Sequence, residues 1–176
     1  MPRGSGMRRT APAAAVLALA MAVGACSYSP SPSLFPTHLK TLAVPILKNE
    51  TTEPNIEQEV TQAIVDRFVQ DNKLRVVDEQ QADLVISGSV VRYTNSVFGF
   101  NAREQAEEYQ VAVAVRLTAR DRVKNREMWR DDNLIRTTNY FVVAPAGQTP
   151  QDQYTSRKDA IEKLADAVLN KTVEGW

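Results

Sequence analysis

Apolar and polar residues alternate strictly from residue 109 to residue 118. Tyr109, Val111, Val113, Val115 and Leu117 fall on one side of an extended chain; Gln110, Ala112, Ala114, Arg116 and Thr118 fall on the other. Successive side chains of a strand point to opposite faces, so this pattern predicts an antiparallel sheet strand with one covered face. The flanking segments "ADLVISGSVVRYTNSV" and "NREMWRDDNLIRTTNYFV" are similarly long and rich in Val, Ile, Tyr and Phe, and a shorter "LRVVD" precedes them. "ARDRVKN" is the turn into the last strand, with Lys124-Asn125 at its tip. Near the start, "HLKTLAVPILKN" places Leu42, Val44 and Ile46 at alternate positions, with Ala43 and Leu47 on the other side, and reads as a largely buried strand. Pro45 has no N–H to donate, which sets this strand at an edge or ends its pairing there.

Two segments carry a different period. Ile56, Val60, Ala63, Ile64 and Phe68 recur at helical spacing, with Pro54 expected in the first turn, Asn55 with Gln58 or Thr52 as capping groups, and an end near Asp71-Asn72. Ile161, Leu164, Ala165, Val168 and Thr172 repeat the stripe behind Ser156 or Thr155 as cap. Both stripes read as core-facing. The expected fold class is α+β, with two helices packed on one face of a mixed, mainly antiparallel sheet in a two-layer sandwich.

The first 25 residues follow neither pattern. Arg3, Arg8 and Arg9 precede "APAAAVLALAMAVGA", an acid-free apolar run ending in small residues, which is the form of a secretory signal peptide; Met1 and Met7 both suit as its start. The run falls short of the roughly 20 residues a membrane-spanning helix needs. Val23-Gly24-Ala25-Cys26 resembles the bacterial lipobox, and Cys26 is the single cysteine of the chain. A lone exported thiol has no disulfide partner in its own chain, so Cys26 reads as a lipid attachment site. The resemblance implies a diacylglyceryl thioether and an acylated amino group, and two or more acyl chains make attachment stable. Ser27 stands where bacterial inner-membrane lipoproteins often carry Asp, which favours the outer membrane. The expected organisation is a leader at 1–25, lipidated Cys26 with a Ser/Pro tether at 26–38, and one domain at 39–176.

Removing 25 of the 176 residues leaves 151, with 18 basic against 21 acidic side chains. Such a net charge disfavours general nucleic-acid binding. His38 is the single histidine, too little with one committed cysteine for a metal site. Asp131-Asp132 and Glu107-Glu108 are adjacent on strands and point to opposite faces, so neither works as an acid–base pair. The seven glycines form no phosphate-cradling loop. No enzyme, cofactor or metal is expected. The densest cation cluster is "RDRVKNREMWR", where Arg122, Lys124 and Arg126, beside Met128 and Trp129, form a candidate site for a ligand anionic at one end and acyl at the other.

The passages "AVPILKNETTEP" and "LRVVD…ADLVISGSV", with a late "EMW" strand before the terminal helix, resemble the LptE family of lipopolysaccharide-assembly lipoproteins over nearly all of the mature chain. Ser27 and Lys124-Asn125 stand where many members carry Gly and a Thr-Gly hairpin tip. The resemblance implies a non-enzymatic domain that plugs the outer-membrane barrel LptD, helps it assemble, and contacts lipopolysaccharide. "TLAVPILKNET" is also similar to small lipoproteins that activate penicillin-binding proteins or form curli-type secretion pores, which is the alternative reading.

Overall fold

The computed structural model describes residues 35–100, 104–143 and 149–174. The leader, Cys26 and the tether up to residue 34 lie outside the described residues. Strands β1 (Thr41–Ala43) and β2 (Lys48–Asn49) lead into helix α1 (Ile56–Asp71) and strand β3 (Arg75–Val76). Three long strands follow, β4 (Leu84–Phe100), β5 (Ala106–Asp121) and β6 (Arg126–Phe141), and helix α2 (Gln153–Val173) closes the chain. The sheet order is β3-β1-β4-β5-β6, with β2 also paired to β4. β1 runs parallel to both β3 and β4, a geometry that needs a crossover, and α1 supplies the crossover from β1 to β3. β4, β5 and β6 form an antiparallel meander. The expected α+β sandwich with a mixed sheet is the fold observed.

One face of the sheet supplies Leu42, Leu84, Ile86, Val90, Val111, Val113, Val115 and Leu117 to the core, and the helices supply Ile56, Val60, Ile64, Phe68, Ile161, Leu164 and Val168. Each large side chain removed from water contributes about 1.5–3 kcal/mol, so this layer dominates stability. The alternation of β5 holds: Val111, Val113, Val115 and Leu117 are fully buried.

The first strand is shorter than its pattern suggested. Pairing stops at Ala43, Pro45 follows, and Ile46 is 71% exposed instead of sharing a face with Leu42. Pro45 ends the pairing of a strand that lies between two others, so its effect is termination and not edge placement. Pro54 lies before the helix. Asn55 is the N-cap in a left-handed conformation, φ 62°, without a side-chain cap bond; its carbonyl accepts from the N–H groups of Gln58 and Glu59. Asparagine tolerates that backbone region, which explains its place here. α2 is capped by Asp152, whose carboxylate accepts from the Thr155 N–H at 2.7 Å, and Ser156 is buried within the helix. The cap lies three residues before the expected Thr155 because the first helical turn is polar and carries no stripe residue.

Candidate functional site

The β5–β6 turn is organised by a buried carboxylate. Asp121 has no exposed surface; its Oδ1 accepts from the Lys124 N–H at 2.9 Å, and its Oδ2 lies 2.8 Å from His38 Nε2 and 3.6 Å from Arg126 Nε. Asn125 takes φ 50°, and Arg120 donates to its side-chain oxygen at 2.8 Å. The Arg122 N–H donates to the Asp83 carbonyl at 2.8 Å, and its guanidinium donates to the Glu79 carbonyl. Of the three candidate cations, Arg122 and Arg126 therefore hold the turn, while Lys124 extends into solvent. Met128 and Trp129 are partly buried against the core, and the Lys171 ammonium lies 5.8 Å from the Trp129 ring. The structure thus places the three cations on one turn, engages two of them with separate partners, and turns the aromatic neighbour inward. A hollow of about 430 Å³ beside the turn is lined by Glu79, Gln80, Ser87, Arg120, Arg122 and Asn125.

Burial pushes the Asp121 carboxyl up, but the Lys124 N–H, His38 and Arg126 outweigh it and hold the group below the ordinary carboxylate value. A lowered folded-state pKa gives stability that is present above the unfolded value and lost as pH falls through the folded one. Asp83 shifts the same way, chiefly through the Lys40 N–H. Asp121→Asn should therefore cost about 1.5 kcal/mol at pH 7, in the range for hydrogen bonds to charged groups. It should also reduce the loss of stability on acidification below about pH 4. Urea denaturation of both proteins at pH 7 and pH 3 checks this; parallel acid losses would contradict it.

At the far end of the meander the surface changes character. Gly99, Glu108 and Phe141 form one row across the three long strands. Around that row Phe98 is 58% exposed, Phe100 67% and Val143 68%, with Val97 and Val142 also exposed. Sequence reasoning missed this patch because Val and Phe at a strand end read as core; the "VFGF" run with no charged residue was the available signal. A strand rises about 3.4 Å per residue, so the 16 residues of β5 set the cationic turn and the apolar end about 50 Å apart.

The sheet face away from the helices is apolar and covered near β1, where Ala43, Ala82 and Val85 cluster, and mainly polar farther along β4–β6. Arg92 and Arg116 lie on it, Arg116 3.5 Å from Glu50 and 3.9 Å from Asp132. Arg136 is paired opposite Val113 and belongs to the helix-covered face. Asn139 accepts from Gln110 and donates to Glu108, both at 2.9 Å. Among the described residues no group of three His, Cys, Asp or Glu side chains is placed to hold a metal ion, and no helix is long and apolar enough to cross a membrane.

The passage from β2 into α1 has its own framework. Asn49 donates to the Glu53 carbonyl and to Glu57, and its Oδ1 accepts from Thr51. Glu53 is held in turn by Arg157 of α2, whose guanidinium also bonds both oxygens of Glu59 and lies 5.2 Å from the Tyr93 ring. Asn49, Thr51 and Glu53 of "KNETTEP" thus fix this loop, and Glu53 ties it to the second helix.

The family model for lipopolysaccharide assembly, LptE, matches residues 39–172. The chain belongs to the LptE family. The match begins at Leu39, the first buried residue of the domain, and ends within α2. A comparison with the curated proteins gives no match. Among solved structures, the PelC dodecamer of Paraburkholderia phytofirmans is 16% identical, with TM-score 0.53 over 81% of this chain and 95% of that one. A minor lipoprotein of Acinetobacter baumannii is 15% identical, with TM-score 0.51 over 80% and 95%. A lipoprotein B of Nitrosomonas europaea is 11% identical, with TM-score 0.52 over 80% and 85%. At these identities the likeness is one of fold alone.

Proposed function

We propose that this chain is an outer-membrane lipoprotein, anchored through Cys26, that plugs the LptD barrel, helps it assemble and contacts lipopolysaccharide without enzymatic activity. The observation that carries the reading is the LptE match across essentially the whole described domain. The architecture supports it: a long meander whose open face is mainly polar suits the polar interior of a barrel. Its two chemically different ends suit an amphiphile passing along it.

The anchor is tested by Cys26→Ser. Fatty-acid labelling should be lost and the protein should leave the membrane fraction, with its circular dichroism unchanged. A serine variant still labelled and bound to the outer membrane would contradict the anchor.

For the ligand, the reading keeps Arg122, Lys124 and Arg126 as contacts for lipopolysaccharide phosphates. Replacing all three with Glu would set a carboxylate against Asp121, so glutamine is the cleaner change. The triple Gln variant should bind lipopolysaccharide several-fold more weakly at low salt, with a smaller difference at high salt, because exposed charges are screened over roughly 8 Å at physiological ionic strength. Equal binding at low salt would remove the turn from the site.

A further inference from the structure

β6 is a 16-residue strand at the edge of the sheet, paired on one side with β5 and on the other with no strand among the described residues. An unpaired edge presents a row of N–H and C=O groups, and proteins guard such rows with charges, bulges or cover. The first half of β6 is guarded. Arg126, Arg130, Asp131 and Asp132 lie on it, and the register shifts between the Leu117↔Asp131 and Val115↔Leu134 pairs. The second half, "LIRTTNYF", carries a single charge, Arg136, and contains neither Pro nor Gly. Its register with β5 is unbroken from Leu134 to Phe141.

Which backbone groups face outward follows from the ladder. The Val142 N–H donates to the Glu107 carbonyl, toward β5, and the Phe141 carbonyl accepts from Gln151, away from β5. Antiparallel ladders alternate, so Ile135, Thr137 and Asn139 also direct their backbone groups outward. The Ile135 carbonyl is taken by its neighbour Arg136. Among the described residues the outward N–H and C=O groups of Thr137 and Asn139 have no backbone partner, and both residues are exposed.

We propose that β6 between Ile135 and Asn139 is a docking edge onto which an extended segment of the barrel partner adds as a strand. This rests on the reading of the chain as a barrel-assembly component. The occupant's class follows from the row itself: alternating donors and acceptors at strand spacing are matched by extended polypeptide, and main-chain bonds of this kind give affinity while side chains give register. Arg136, the one charge of the segment, favours an acidic residue on the incoming strand.

Thr137→Pro is a selective test, because the N–H it removes points away from β5 and the existing ladder is kept. Circular dichroism and the thermal midpoint should be close to wild type, and the barrel recovered with the tagged full-length protein from detergent-solubilised membranes should fall at least tenfold. If the proline variant fails to fold, Thr137→Lys with Asn139→Lys serves the same purpose by charging the edge. A photo-crosslinking residue at position 137 should yield a covalent adduct with the barrel. Undiminished barrel recovery by a folded edge variant would overturn the proposal, as would crosslinks to a second copy of this chain or none at all. Absence of any barrel with the wild-type protein would instead strike at the function proposed above.

Discussion

Gly88→Ala should abolish folding of the domain. Gly88 lies in the first half of β4 opposite Leu117, and a Cβ built on it would be 1.9 Å from the Arg116 carbonyl oxygen and 3.0 Å from the Leu117 Cα. The obstacle is backbone of the central strand β5, which is itself paired to β6, so it cannot swing aside as a side chain would. Relief would require opening the β4–β5 ladder beside its bulge between Val90 and Arg92. A clash of this kind belongs to the exceptional class of substitutions costing about 4 kcal/mol or more. Gly99→Ala is the internal control, since its Cβ would meet Glu108 Oε2 at 3.2 Å, which can swing away, and Glu108 Cβ at 3.3 Å, which needs a shift of only a few tenths of an ångström, for a cost of about 1 kcal/mol or less. Soluble yield and thermal unfolding of the two variants check the contrast; a well-folded Gly88→Ala protein would contradict the strand register.

Arg157→Ala should produce the next largest loss. The guanidinium is nearly buried, at 11% side-chain exposure, and joins Glu53 and Glu59 at once. Burial disfavours its charge, and the two glutamates and Tyr93 more than restore it. Removing it leaves two carboxylates facing each other at the junction of α1, α2 and the loop after β2. Glu59 is 40% exposed, so water recovers part of the energy, and the expected cost is about 2 kcal/mol. For a domain of this size that corresponds to a thermal midpoint lower by roughly 6 °C. Arg157→Lys should recover little of it, because an ammonium cannot reproduce the two-pronged bond to Glu59. A lysine variant as stable as wild type would show that charge alone sufficed.

Much of the fold was legible because period alone decides it. Alternation at Val111–Leu117 and three- and four-residue spacing at Ile56–Phe68 each constrain a face, and both faces were read correctly. Local backbone chemistry was harder to read. Asn55 caps α1 through a left-handed backbone and not through its side chain, and Asp152 caps α2 ahead of the apolar stripe, where periodicity is silent. The candidate turn was legible as a cluster of charges, but composition cannot show which cations are already engaged. Asp121 and the Glu79 carbonyl, the partners of Arg126 and Arg122, come from a strand end and a separate helical turn. Arg157 was missed for a related reason. It lies 98 and 104 positions from its two glutamate partners, a pairing that only the packing of α2 on α1 creates.

The family is shown by the match over residues 39–172, and the proposed role of this chain is to work as the partner of a barrel. Affinity purification of the tagged, full-length protein from detergent-solubilised outer membranes tests it most directly. The account predicts recovery of one large β-barrel protein in constant ratio to the lipoprotein. Recovery of a peptidoglycan synthase, or of a ring made of this chain alone, would contradict it.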